Sequence, residues 1–445
     1  MKKVLRSVLL SLFLVSIAIA QSSAPIPVTA SSARTDDTRN TAEIRKETFD
    51  IVWRTVKDKH FDPTLGGVDW QKVREKYEPR VSTLNDNNAL YALLQEMLGE
   101  LHQSHFNIIP PEAIVPDDVK EPPMGGVGID VRIINGQAVI TSVETPSKAS
   151  LAGIKTGFIV KKVDDTTVEQ LYERALKRKE NPGWANMRTM RAVMARINGK
   201  PETSVRLLYV DGRSKVREIT LQRERLKGEM SKRVGNFPPQ YTEFEVKRIA
   251  NNIGYIRFNT FVPILTERIH NAIRSMNDAA GIIFDLRGNP GGLGLMANGI
   301  ASLLSSQSGS LGSMKMRVGE VKFGVFPPKN PILCPVVILI DGGSASTSEI
   351  FAGGMQELGR AVIIGERSLG AALPSTFQKL PTGALFQYAI ADFKTPKGVL
   401  IEGRGVIPDI EVKWNRPSLL NGRDIQLESA IEQILKRSKS VASVR

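Results

Sequence analysis

The sequence predicts a multidomain α/β protein, and three observations carry that prediction. Apolar residues recur at helical spacing near the N-terminus, strand-and-turn alternation fills the middle, and strands alternate with helices through the C-terminal half. At 445 residues the chain exceeds what one hydrophobic core usually organises. With 41% hydrophobic and 24% charged residues it is a packed globular chain, neither disordered nor collagen-like. A single cysteine, Cys334, excludes an intramolecular disulfide framework and a multi-cysteine zinc site.

The first element is a targeting segment. Lys2 and Lys3 precede an apolar run that is interrupted by Arg6 and ends in the small-residue pattern Ala18-Ile19-Ala20. This is the pattern of a secretory signal peptide over residues 1–20, too short for a comfortable membrane span, with cleavage expected after Ala20. No cysteine follows the cleavage site, so no lipid anchor and no stable membrane insertion are expected of the exported chain. Residues 21–42 are rich in Ser, Thr, Ala and Pro and read as a flexible leader.

From Glu43 the pattern changes. Phe49, Val52, Trp53 and Val56, and then Leu90, Leu93, Leu94, Met97, Leu98 and Leu101, recur at helical spacing, so residues 43–108 read as a small helical domain. Five prolines between 110 and 123 mark a linker over 109–123. Alternating runs around Asn135-Gly136 and around Asp211-Gly212 are hairpin signals, and a short helix ends at Gly153. Residues 124–224 are therefore a small mixed β domain with one or two helices, followed by a polar, irregular stretch over 225–245. From 246 to 435 the runs IGYIRF, GIIFDLR, PVVILID and AVIIG alternate with helical segments, including one near 293–306 and one over 347–358. The nearly wholly apolar PVVILID is a buried strand of a largely parallel sheet.

The formal charge is +14, but Lys and Arg are spread along the chain with only short clusters. Neither zinc-finger spacing nor an aromatic-basic motif is present, so nucleic acid is not an expected partner. A basic, solvated surface facing anionic envelope components accounts for the charge.

Four places could carry chemistry. In IDGGSASTSEIFAGGM, 340–355, a buried strand runs through a Gly-rich turn into a helix. Ser346 there either caps the helix, with Glu349 completing an S-x-x-E box, or acts as a nucleophile beside helix-start amides. A serine nucleophile needs a base, and the four histidines are His60, His102, His105 and His270. His105, behind Ser104 at a loop entry, can reach a cleft, whereas His270 lies inside a helical pattern and His60 just beyond one. The glycines of FDLRGNPGGLG, 284–294, either form a βα turn or present backbone amides to an oxyanion. Those of MGGVGIDV, 124–131, either make a tight turn or cradle a peptide carboxylate.

Together these segments resemble the C-terminal processing peptidase and tricorn-core protease family of serine peptidases. The resemblance rests on DLRGNPGG at 285–292, GSASTSE at 343–349, GRAVIIGE at 359–366 and IEGRGVIPDIEV at 401–412, in family order. It implies a helical N-terminal domain, a PDZ domain over 124–224 and a crotonase-like α/β protease core over 246–435. In the processing-peptidase branch a lysine activates the serine; here GERSLGAALPS has Ala371 at that position. The tricorn-like branch instead uses a histidine preceded by a serine and a glutamate before G-x-x-P-D, matched here by Ser104-His105 and by Glu402 ahead of Gly405-Val406-Ile407-Pro408-Asp409.

Carried over on that resemblance, Ser346 is the nucleophile, His105 the general base, and Ser104 and Glu402 orient and support the site. The backbone amides of Thr347 and of Gly292 or Gly291 are the oxyanion donors, with Pro290 standing where a glycine is usual. Substrate C-termini would add as a strand beside Gly128 to Val131, their carboxylate held by the amides around Gly126, Val127, Gly128 and Ile129. Phe158 replaces an aspartate usual in the PDZ pattern, so a gating PDZ domain stands beside a peptide-capturing one. The expectation is an exported serine endopeptidase of the bacterial periplasm or extracellular space, acting on unfolded proteins or peptides without metal or cofactor. A non-catalytic ligand-binding protein on the same fold and a PDZ-based scaffold are its rivals. Sequencing the N-terminus of the exported protein checks the first step: the expected first residue is Gln21, and a retained Met1 overturns it.

Overall fold

The computed structural model describes residues 41–177 and 182–442, with side chains to 438. The signal peptide and most of the leader lie outside the described residues.

The core is a six-stranded sheet in the order Phe244–Ile249, Ile253–Phe258, Gly281–Asp285, Val336–Ile340, Ala361–Gly365, Ile410–Glu411. All neighbours run parallel except the first pair. Alternate residues along each strand face opposite ways, and both faces are covered. On one face Ile256, Phe258, Ile282, Phe284, Ile338, Ile340 and Ile363 pack against the helices Thr266–Arg274, Leu295–Leu304 and Thr347–Glu357. On the other, Tyr255, Ile283, Val337, Leu339, Val362 and Ile364 meet Ala430 and Ile434 of the C-terminal helix Ile425–Ala442. This double burial explains why PVVILID reads as continuously apolar. The edge strand Phe244–Ile249 was not legible, because its exposed run Glu245 to Arg248 offers no buried face.

The middle of the chain forms a sheet in the order Ile129–Ile134, Gln137–Val143, Ile159–Val163, Ser204–Val210, Val216–Gln222. Both expected hairpins are present; Asn135 and Gly136 have φ of 50° and 74°, as their tight turn requires. Three helices accompany this sheet, rather than one or two: Lys148–Leu151, Val168–Leu176 and Pro182–Ile197. The third, with Pro at its first position, is absent from the sequence reading because Asn, Arg and Met interleave its small buried face.

The N-terminal helices Thr41–Lys59, Trp70–Val81 and Asn87–Gly99 occur where the apolar spacing puts them. They are not self-contained. The strand Asn107–Ile109 pairs antiparallel with Leu385–Ala389, and Phe49, Leu94 and Met97 share one core with Leu373, Leu380, Phe386 and Tyr388. Residues 41–109 therefore lean on a hairpin about 280 positions away by the numbering of those partners. Phe386 is fully buried there. Phe386→Ala is expected to cost about 3–5 kcal/mol, read by urea denaturation, and to unfold the helical region together with the hairpin in one transition.

Candidate active site

The strands Gly281–Asp285 and Val336–Ile340 end side by side, and the turns that leave them interlock. Asp341 Oδ1 accepts from the N–H groups of Gly288 and Gly343, both at 2.8 Å. Ser344 donates its hydroxyl proton to the Leu286 carbonyl at 2.7 Å, the Ala345 N–H donates to the Asn289 carbonyl at 3.0 Å, and Thr347 donates its hydroxyl proton to the Gly292 carbonyl at 2.8 Å. A Cβ on Gly291 would stand 2.7 Å from both the Ser346 Cβ and the Thr347 nitrogen, so only glycine allows this approach.

Ser346 occupies φ 53°, ψ −119°, a backbone region that costs about 1–3 kcal/mol and persists only when its surroundings over-determine it. It precedes the helix Thr347–Glu357 and is partly exposed between buried Ala345 and Thr347. The capping relation is present on the glutamate side: Ser346 donates its N–H to Glu349 Oε2 at 3.0 Å, while the Glu349 N–H donates to the Ser346 main-chain carbonyl at 2.8 Å.

The structure also separates the two candidate oxyanion donors. Gly291 donates its N–H to Asn289 Oδ1 at 2.9 Å. The N–H groups of Gly292 and of Thr347, the first residue of the helix, have no partner among the described residues.

His105 lies past the helix Asn87–Gly99, at φ 61°. Its Nδ1 is 2.7 Å from Ser104 Oγ, which donates to Glu402 Oε2 at 2.9 Å, while the Ser104 N–H donates to Glu402 Oε1 at 2.7 Å. The direction of this chain fixes the tautomer. Ser104 gives its single proton to the carboxylate, so it accepts from His105 Nδ1–H, which leaves Nε2 with the lone pair of a base. Glu402 receives a third donor, the Ala372 N–H at 3.0 Å. Burial pushes the Glu402 carboxyl above its ordinary range while these donors pull it back. Burial, and then the Arg191 guanidinium, push the His105 imidazole down to about 4. Among the described residues no hydrogen bond joins His105 to Ser346; the link runs through Ala371, whose carbonyl accepts the Ser346 N–H at 2.8 Å, and its neighbour Ala372.

The remaining histidines are placed otherwise. His60 is fully buried and holds Gln103 and Asp62, His270 lies on the helix Thr266–Arg274, and His102 is exposed. In the middle sheet, Gly126 pairs with Glu224 in a two-residue ladder, so it belongs to a strand rather than to an open cradle. The carbonyls of Val127 and Gly128 accept from Ala149 and Glu144, and Ile129 begins the sheet's edge strand. Sequence reading missed the cover on the site. Met187 and Trp184 of the helix Pro182–Ile197 pack with Ala345, Leu369 and Ala371, on both sides of Ser346. Only helical spacing of large residues at 184, 187, 188 and 191 could have signalled that face.

Residues 252–412 match Peptidase family S41, and residues 41–99 match the Tricorn protease C1 domain. The chain thus carries a peptidase S41 domain and a tricorn C1 domain, and it is a serine-type peptidase. Its relatives include a carboxyl-terminal-processing protease of Synechocystis sp., 27% identical over 391 residues that cover 85% of this chain and 84% of that one. Another, from Bartonella bacilliformis, is 26% identical and covers 80% of this chain and 76% of its own. Among solved structures, the photosystem II D1 C-terminal processing protease has a TM-score of 0.55 at 23% identity, covering 83% of this chain and 93% of that one. Mature CPAF has a TM-score of 0.60 at 14% identity, covering 90% and 98%. These two share the fold.

The depressed imidazole has a checkable consequence. A histidine proton-shift titration should place the His105 midpoint near 4, so that the base is neutral at pH 7. Arg191→Ala should raise that midpoint without restoring the ordinary 6.5, because burial remains; a wild-type midpoint at 6.5 overturns the reading.

Proposed function

We propose that the protein is an exported serine endopeptidase of the tricorn-like branch, with Ser346 as nucleophile and His105 as general base. The observation that carries this reading is the chain Glu402, Ser104, His105, closed by hydrogen bonds of 2.9 and 2.7 Å across 298 positions of sequence. It leaves His105 Nε2 as the proton acceptor, and its third donor comes from the residue next to the one that holds the Ser346 N–H.

The chemistry follows from these roles. Ser346 Oγ attacks the scissile carbonyl carbon as its proton passes to His105 Nε2, and the resulting oxyanion meets the free N–H groups of Thr347 and Gly292. Collapse transfers the proton from His105 to the leaving amine and leaves an acyl ester on Ser346. Water, deprotonated by His105, then hydrolyses the ester and returns Ser346. Ala371, where a lysine would stand in the other branch, contributes only its backbone, which fits activation by histidine.

Residues 124–224 act in this reading as a PDZ domain. The open edge strand Ile129–Ile134 suits strand addition of a peptide, and the packing of Met187 beside Ser346 favours a gating role for the same domain. Substrates are unfolded proteins or peptides with accessible chain. A ligand-holding protein on the same fold is the alternative, and labelling with a fluorophosphonate separates the two. The adduct is expected on Ser346, lost in Ser346→Ala, and formed at least about 100-fold more slowly in His105→Ala. Glu402→Gln should slow it by about 10-fold or more. Well-folded protein that stays unlabelled with candidate peptides present supports the ligand-holding alternative.

A further inference from the structure

Glu349 is fully buried, and its carboxylate is saturated by four donors. Oε2 accepts from the Ser346 N–H at 3.0 Å and from the Ala371 N–H at 2.9 Å; Oε1 accepts from the Ser368 hydroxyl at 2.5 Å and from the Gly370 N–H at 2.7 Å. Ser368 in turn accepts from the Val406 N–H at 2.6 Å. The Ser368 hydroxyl is the one partner that can instead accept a carboxylic acid proton; the other three of the four partners are backbone N–H donors, which favours the carboxylate. Burial opposes this and pushes the group up to about 7.

The placement of those donors is more than a helix cap needs. A cap satisfies the first helical amides, whereas three of these donors, Ser368, Gly370 and Ala371, belong to a different segment. That segment continues for one residue to Ala372, whose N–H is held by Glu402. One carboxylate thus fixes the nucleophile's backbone, the other fixes Ser104 beside His105, and the peptide unit between Ala371 and Ala372 sets the spacing between them. The Ser346 N–H is shared between Glu349 Oε2 and the Ala371 carbonyl, so the strained conformation of Ser346 and the position of the segment depend on each other.

We infer that Glu349 is a positioning residue of the peptidase site, which sets the distance between the Ser346 turn and the Glu402–Ser104–His105 chain through residues 370–372. This deepens the proposed reading and rests on it for the chemistry. A carboxamide at 349 keeps the shape but sets its NH2 against at least one backbone N–H, that of Gly370 on the Ser368 side or those of Ser346 and Ala371 on the other, so the joint should open while the surrounding fold stays packed.

Two measurements on the mature chain test this. In Glu349→Gln, hydrogen exchange should accelerate in peptides covering 344–350 and 368–373 together, and stay unchanged in the buried strand Val336–Ile340. The maximal rate of fluorophosphonate labelling at Ser346 should fall by about 30- to 300-fold with the half-saturating concentration within about threefold. Ser368→Ala, which removes one donor and leaves the carboxylate, should show the same pattern with a loss of about 3- to 10-fold and guards against a Gln variant that does not fold. Unchanged exchange in both segments of either folded variant, or acceleration that spreads through Val336–Ile340, overturns the inference. So does a labelling rate within threefold of wild type. If wild-type protein is not labelled at all, the serine reading fails, while the exchange result still decides whether Glu349 joins the two segments.

Discussion

The site depends first on one parallel pairing. Gly281–Asp285 and Val336–Ile340 are adjacent strands, with Ile282 opposite Val336 and Asp285 opposite Leu339, and Leu286 adds one more bond to the Leu339 carbonyl. Both strands point the same way, so their C-terminal ends open at the same level, and the two glycine-bearing turns leave next to each other. In an antiparallel arrangement they would lie at opposite ends of the sheet. The contacts of Asn289, Gly291 and Gly292 with the Ser346 turn are consequences of that pairing, as is the free pair of amides at Gly292 and Thr347 beside the partly exposed Ser346.

Around this pairing, buried charges restrict how the other segments can dock. An unpaired buried carboxylate costs several kcal/mol, so each one dictates a partner. Asp285 is held by Arg287 and by the Tyr255 hydroxyl, and Arg287 reaches on to Asp424 ahead of the C-terminal helix. Asp341 is held from outside the core: Arg132 of the edge strand Ile129–Ile134 donates Nε–H to its Oδ2 at 2.7 Å, while Oδ1 keeps Gly288 and Gly343 in place. The guanidinium beside Asp341 holds that carboxyl below its ordinary range despite burial. The mixed β domain is thereby oriented by an ion pair one turn of chain away from Ser346.

What could be read in the sequence follows from how local its physical cause is. The segments that bear Ser346, Ser104-His105 and Glu402 stand out because their short motifs are intact, whereas the hydrogen-bonded meeting of Ser104, His105 and Glu402 is visible only in the fold. Strands such as PVVILID and the two hairpins were legible because burial on two faces and positive φ at Asn135-Gly136 leave a local imprint. That the Asn289 side chain takes the Gly291 N–H and not that of Gly292 was not, since it depends on the folded turn. Nor was Glu349 beyond its capping box, because Gly370 and Ala371 are recognisable as its partners only once the chain has folded back. Arg132 and Met187 likewise act across domains, and nothing in a short window distinguishes them from ordinary surface and core residues.

Capture and gating are therefore hard to separate in this architecture. The helix Pro182–Ile197 places Val193 and Ile197 in one core with Val131 of the edge strand, while Met187 two turns earlier packs with Ala345 and Ala371. The edge strand also carries Arg132, whose partner Asp341 holds the Gly288 turn. In the proposed reading, a peptide added along that edge would press on a strand tied to the covering helix on one side and, through Asp341, to the Gly288 turn on the other. A helix of 16 residues transmits such a shift as a rigid body more readily than it bends. On that proposed reading the unit that binds would also uncover, without a separate lid, and access to Ser346 would depend on the packing of Met187 against Ala345 and Ala371.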